Sequence, residues 1–157
     1  MGVIDFIKNH KLLGKLSHKD VENLIENIQV EHYKAGDVII KQGENSDRFF
    51  IVKEGLCGVV VEVDKKNEKV AGYMKKSGDF FGEIGLIYKI PRTASVVALE
   101  DSELLIIKYD DFERIVLANE DIKKELFEAA QKRIDETEKI LEKYNKTIFD
   151  ALYRFGI

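Results

Sequence analysis

Apolar positions along the chain fall into three zones with different periods. Residues 2–16 form a partly apolar lead-in carrying Ile4, Phe6, Ile7, Leu12, Leu13 and Leu16. After Ser17, Val21, Leu24, Ile25 and Ile28 recur at helical spacing, and Asp20 stands where a capped helix favours an acid. The spacing predicts a helix starting at Ser17.

From Val30 the period shortens. Val38 to Ile40, Arg48 to Lys53, Leu56 to Val63, Val70 to Met74, Ser95 to Leu99 and Glu103 to Lys108 are short β-rich runs. Turn chemistry separates them, as in Lys34-Ala35-Gly36-Asp37, Gln42-Gly43-Glu44-Asn45, Glu54-Gly55 and Lys75 to Asp79. Many short strands with regular turns predict a closed antiparallel structure, a β-roll or jelly-roll barrel, which also hides its edges. The third zone begins after Tyr109. Asp110 or Asp111 is positioned to cap a short helix through Leu117, and Asn119 to cap a long one. Within the latter, Phe127, Ala130, Ile134, Thr137, Leu141, Tyr144, Ile148, Ala151 and Phe155 alternate at threes and fours, a coiled-coil-like seam. It either packs on its own domain or pairs with a second copy, and Asn145 is a point where it would divide. The fold class expected is α+β, one domain: helical residues 1–29, a β-roll over 30–108 and C-terminal helices over 109–157.

Composition narrows the function classes. With 157 residues, 45% hydrophobic and 34% charged, the chain has enough material for a full core. A net charge of -4 argues against general nucleic-acid affinity. The single cysteine, Cys57, lies in an apolar run and reads as a buried thiol. The N-terminus has no basic-then-apolar leader and no stretch reaches the ~18 apolar residues of a membrane span. A cytoplasmic location is expected. The three histidines have no metal-site spacing, and no nucleophile set or carboxylate pair suggests an enzyme such as a phosphodiesterase. No cofactor or metal is expected.

The densest chemistry lies between Phe80 and Val97. Gly82 and Gly85 flank Glu83 and Ile84, the only proline precedes Arg92, and small residues Thr93, Ala94 and Ser95 follow. Glycine permits close backbone approach, arginine binds phosphate, and a carboxylate accepts a hydroxyl proton. One segment thus offers a phosphate end and a ribose end. The other reading is an ion pair between Glu83 and Arg92 with glycines serving turn geometry alone.

The order of these markers resembles the cyclic nucleotide-binding domain family, which includes the catabolite activator protein, kinase regulatory subunits and cyclic-nucleotide-gated channels. The markers are Tyr33 to Ile39, Gln42-Gly43-Glu44, Phe49 to Gly55, Gly78 to Glu83, Pro91 to Val96 and Asp110-Asp111-Phe112. The resemblance covers roughly residues 16–141 and implies a ligand, cAMP or cGMP. It implies that Arg92 binds the cyclic phosphate, with the amides of Thr93 and Ala94 and a hydroxyl of Thr93 or Ser95. It implies that Gly82 and Glu83 hold the ribose, within a cassette that includes Phe81, Ile84 and Gly85. Alignment with the activator places Thr137 at the base and Arg133 beside the ribose-binding glutamate. The plainer alternatives are a Thr137 hydroxyl bonded one turn back and a solvated Arg133.

The activator subfamily has a DNA-reading module after its long helix, and residues 145–157 are too few for one. No DNA partner and no membrane is expected. Two functions compete: a cyclic nucleotide sensor signalling to an effector protein through its C-terminal helix, and an interaction protein with a vestigial cup that assembles through its helical seam, as a homodimer.

Overall fold

The computed structural model describes residues 2–62 and 69–142. Helix α1 (Val3–Asn9) and a 3₁₀ turn (Leu13–Lys15) precede α2 (His18–Asn27). Ser17 Oγ accepts the Asp20 amide at 3.1 Å, so the expected N-cap forms.

Eight strands follow: β1 (Gln29–Tyr33), β2 (Val38–Ile40), β3 (Arg48–Glu54), β4 (Leu56–Glu62), β5 (Lys69–Lys76), β6 (Phe80–Phe81), β7 (Ser95–Ala98) and β8 (Ser102–Lys108). They build two antiparallel sheets of four, ordered β1-β8-β3-β6 and β2-β7-β4-β5. The expected α+β β-roll is therefore the observed fold. Two strands were not singled out by periodicity, the two-residue β6 and the longer β1. Only alternate residues of β1 are shielded and none is fully buried, so it carries little apolar signal. Phe49 and Ile51 of β3 face the helices, while Phe50 and Val52 face the opposing sheet. Leu105 and Ile107 of β8 divide from Leu104 and Ile106 in the same way. Both strands are buried on both faces, which is why they read as continuous apolar runs.

Tyr109–Asp111 forms the short helix α4, which runs into a wider π-type turn over Phe112–Val116. The caps expected at Asp110 or Asp111 do not form. Lys108 occupies the N-cap position with no side-chain bond, and both aspartates lie inside the first turn. There Asp111 pairs with Arg114 at 2.7 Å. Asn119 does cap α5 (Glu120–Glu142), accepting the Ile122 amide at 3.0 Å.

The buried face of α5 is Ile122, Leu126, Ala130, Thr137 and Leu141. This stripe shares Ala130, Thr137 and Leu141 with the expected seam but not Phe127, which is 39% exposed, or Ile134, which is half-buried. The described helix thus packs on its own domain. The positions from Tyr144 to Phe155, and Asn145, lie outside the described residues.

Phe112 joins the two halves of the molecule. Its ring lies 4.9 Å from that of Phe49, which in turn lies 5.5 Å from Phe80. Phe112→Ala should cost about 3–5 kcal/mol of stability. Urea unfolding followed by circular dichroism measures this, and a loss below about 1 kcal/mol would mean the ring does not bridge roll and helices.

Candidate functional site

The segment between β6 and β7 connects the two sheets. Its first residue, Gly82, has φ 93 and caps α3 (Glu83–Tyr88). A side chain at Gly82 would meet Arg92 Nη1 at 3.0 Å and the Arg48 carbonyl at 3.1 Å, so only glycine lets the arginine approach. Gly85 is equally confined, since a Cβ there would stand 1.8 Å from Ser46 Oγ. Helix α3 was not expected from periodicity. Six residues framed by a left-handed glycine and a left-handed Lys89 leave too short a pattern.

Arg92 is turned inward and is 6% exposed. Its Nη1 donates to the Gly82 carbonyl at 2.8 Å and its Nη2 to the Arg48 carbonyl at 2.7 Å. The guanidinium carbon lies 5.9 Å from the centroid of the Phe50 ring. Burial lowers its pKa to about 10, so it remains a cation at neutral pH.

Glu83 is 1% exposed. Its Oε1 has no hydrogen-bond partner, and its ion pair comes from α5, where Arg133 Nε stands 3.9 Å away. Burial raises the Glu83 pKa to about 7, outweighing the opposing pull of its own backbone N–H and of Arg92. The alternative of a Glu83–Arg92 ion pair does not describe this geometry, because Arg92 spends its contacts on carbonyls. Arg133 is not a solvated arginine either: its side chain is 17% exposed, and its guanidinium carbon lies 5.8 Å from the Phe80 ring centroid.

Gly82, Glu83, Ile84, Gly85, Arg92, Thr93, Ala94 and Arg133 line one cavity with Ile40, Val59 and Val96. Its open volume is about 50 Å³. Three expected site residues sit elsewhere. Phe81 is core, stacked on Phe50 with centroids 5.0 Å apart, because β6 pairs it with β3. The hydroxyl of Ser95 accepts the Gln42 amide at 2.9 Å, because Ser95 already belongs to β7. Thr137 is buried at 2% on α5 but does not line this cavity. Sequence reasoning missed the Arg48 carbonyl and the Phe50 ring. No side-chain identity announces a backbone acceptor.

Among the described residues, no cluster of histidine, cysteine, aspartate or glutamate could hold a metal ion. No described helix is long and apolar enough to cross a membrane. Residues 30–119 match the family described as Cyclic nucleotide-binding domain. This chain belongs to that family.

Among its relatives is the cAMP-dependent protein kinase regulatory subunit of Debaryomyces hansenii, 33% identical over 112 residues, 71% of this chain and 24% of that protein. The cGMP-dependent protein kinase of Plasmodium berghei is 40% identical over 92 residues, 59% of this chain and 10% of that protein. The domain thus spans a quarter or less of these two curated relatives. In fold it resembles the regulatory domain of Toxoplasma gondii PKA solved with cAMP, with TM-score 0.74 and 24% identity over 82% of this chain and 48% of that one.

The buried carboxyl generates a pH prediction. Glu83 has a folded pKa near 7 against an ordinary 4.5, so between these values the folded state holds more protons than the unfolded one. Stability from this group is full below pH 4.5 and is lost as pH rises through 7, by about 3 kcal/mol. His10 has the opposite sign, because burial lowers its pKa below 6.5 and favours the folded state as pH rises. The difference between wild type and Glu83→Gln isolates the carboxyl. Urea melts from pH 4.5 to 8 should show the variant gaining relative stability with pH, and parallel curves would contradict a buried Glu83.

Proposed function

We propose that the domain binds a cyclic nucleotide, cAMP first and cGMP second, and acts as a regulatory sensor without catalysis of its own. The observation that carries this reading is the convergence of Gly82, Glu83, Arg92, Thr93 and Ala94 on one cavity closed by Arg133. Arg92 is a buried cation with five N–H donors, two of them spent on carbonyls. The remaining three suit the singly charged cyclic phosphate, with the Thr93 and Ala94 amides beside it. Glu83 Oε1, buried and without a hydrogen bond, suits a ribose 2′-hydroxyl donor. The Thr93 side chain lines the same cavity, where its hydroxyl would serve a guanine amino group bound syn.

The mechanism follows from the size of the cavity. Ligand pockets measure about 300–1,000 Å³, well above the space among these side chains. Entry of a nucleotide therefore displaces the lid that Arg133 forms, and α5 moves with it. Binding at the cassette selects a position of α5 that an effector protein reads. Thr137, one turn beyond Arg133, is the helix residue proposed to meet the base once α5 closes again. The chain's similarity to cAMP-dependent kinase regulatory subunits supports this reading, and a kinase-type effector is the partner class it suggests.

Calorimetry with cAMP and cGMP tests the proposal directly. Arg92→Lys retains the charge and loses the fork, so it should weaken binding about tenfold, and Arg92→Ala up to about a hundredfold. Thermal melts verify that both variants remain folded. Absence of heat with either nucleotide at high micromolar wild-type protein would refute the sensor reading.

A further inference from the structure

The sheet entered just after Arg92 contains a gap at the point where the cup begins. Strand β7 lies between β2 and β4, with Ile40 opposite Val96 on one side and Val60 opposite Ser95 on the other. Continuing the β4 register would set Glu62 opposite Thr93. Continuing β2 would bring Gln42 opposite Ala94. Neither pair forms, because Thr93 and Ala94 leave the ladder to line the cavity.

The side chain of Gln42 fills the gap. Its Oε1 accepts the Glu62 amide at 2.8 Å, and its Nε2 donates to the Glu62 carbonyl at 3.3 Å. A carboxamide is chemically a peptide group, so it can replace the missing strand neighbour of β4 in both directions. The backbone amide of the same residue donates to Ser95 Oγ at 2.9 Å. The next two residues hold Arg92 itself: the Gly43 amide donates to the Arg92 carbonyl at 2.8 Å, and the Arg92 amide donates to the Glu44 carbonyl at 2.8 Å. Gln42 is 3% exposed, a buried polar side chain with both functional atoms engaged.

We infer that Gln42 is a positioning residue for the anion-binding arm. It holds β2 and β4 apart at the width of one strand, so that Arg92, Thr93 and Ala94 bow out toward the ligand rather than zip into the sheet. This role rests on the cyclic nucleotide reading of the cup.

The test is calorimetry with cAMP on the full chain carrying Gln42→Glu. The carboxylate still accepts the Glu62 amide but faces the Glu62 carbonyl without a donor. Affinity should fall about tenfold, the scale of one unmade buried hydrogen bond. The loss should not add to that of Arg92→Lys, because both variants act on the same arm. The Arg92 Nε–H resonance should shift in the variant without ligand, which a general loss of stability would not cause. Where Gln42→Glu does not fold, Gln42→Met, of similar shape and without hydrogen-bonding groups, is held to the same criteria. Wild-type binding of cAMP together with variant binding within twofold, or fully additive losses, would overturn the role of Gln42 alone. Failure of the wild type to bind would overturn the cup reading and this inference with it.

Discussion

A buried guanidinium needs partners, and the supply of partners for Arg92 organises the cup. Desolvating a cation costs several kcal/mol unless acceptors replace water. Here the acceptors are backbone carbonyls of Gly82 and Arg48, which come from the start of α3 and the first residue of β3. Carbonyl dipoles stabilise the cation without neutralising it. The site is left with a net positive charge in a low-dielectric setting, where a single anionic group gains most. The left-handed turn at Gly82 is part of the same arrangement, because any side chain there would occupy the path of the guanidinium.

The second charge in the site is under the opposite pressure. Glu83 is buried with an oxygen lacking a hydrogen bond, and the nearest cation of α5 stands at 3.9 Å, too far for one. The contact between α5 and the cassette combines this ion pair with the edge-on packing of Tyr88 of α3 against Phe127, their ring centroids 6.4 Å apart. The buried stripe runs from Ile122 through Leu126, Ala130 and Thr137 to Leu141, so packing holds α5 to the domain along its described length.

Much of this was legible in the sequence, for physical reasons that differ by element. Strands β3 and β8 announced themselves because burial on both faces makes Phe49 to Val52 and Leu104 to Ile107 unbroken apolar runs. Ser17 and Asn119 were readable as caps because a short polar side chain before an amphipathic run has little other use. Asp110 and Asp111 misled for the opposite reason: two acids in a first turn satisfy the helix dipole without capping it. The seam on α5 was offset because a heptad count tracks a supercoil partner, whereas this helix follows the roll and buries Ile122 and Leu126 in place of Phe127 and Ile134. In the site, Gly82, Glu83 and Arg92 carry unusual chemistry at close spacing and stood out. Phe81 and Ser95 share that spacing but are placed by strand pairing, and Gln42 reaches the site only through a ladder that fails to continue.

That failed ladder explains why the cup lies where it does. Strand β6 is the edge of one sheet and β7 is interior to the other, so residues 82–94 are the crossover between sheets. A crossover must leave one hydrogen-bonding frame before it enters the next, and here Thr93 and Ala94 fall outside both ladders of β7. An anion site at this place uses groups that the β-roll has already released. It also touches both sheets and α5 together, through the Arg48 carbonyl of β3, the Gly43–Arg92 bond beside β2, and Arg133. A ligand at the crossover would therefore act on both sheets and α5 together.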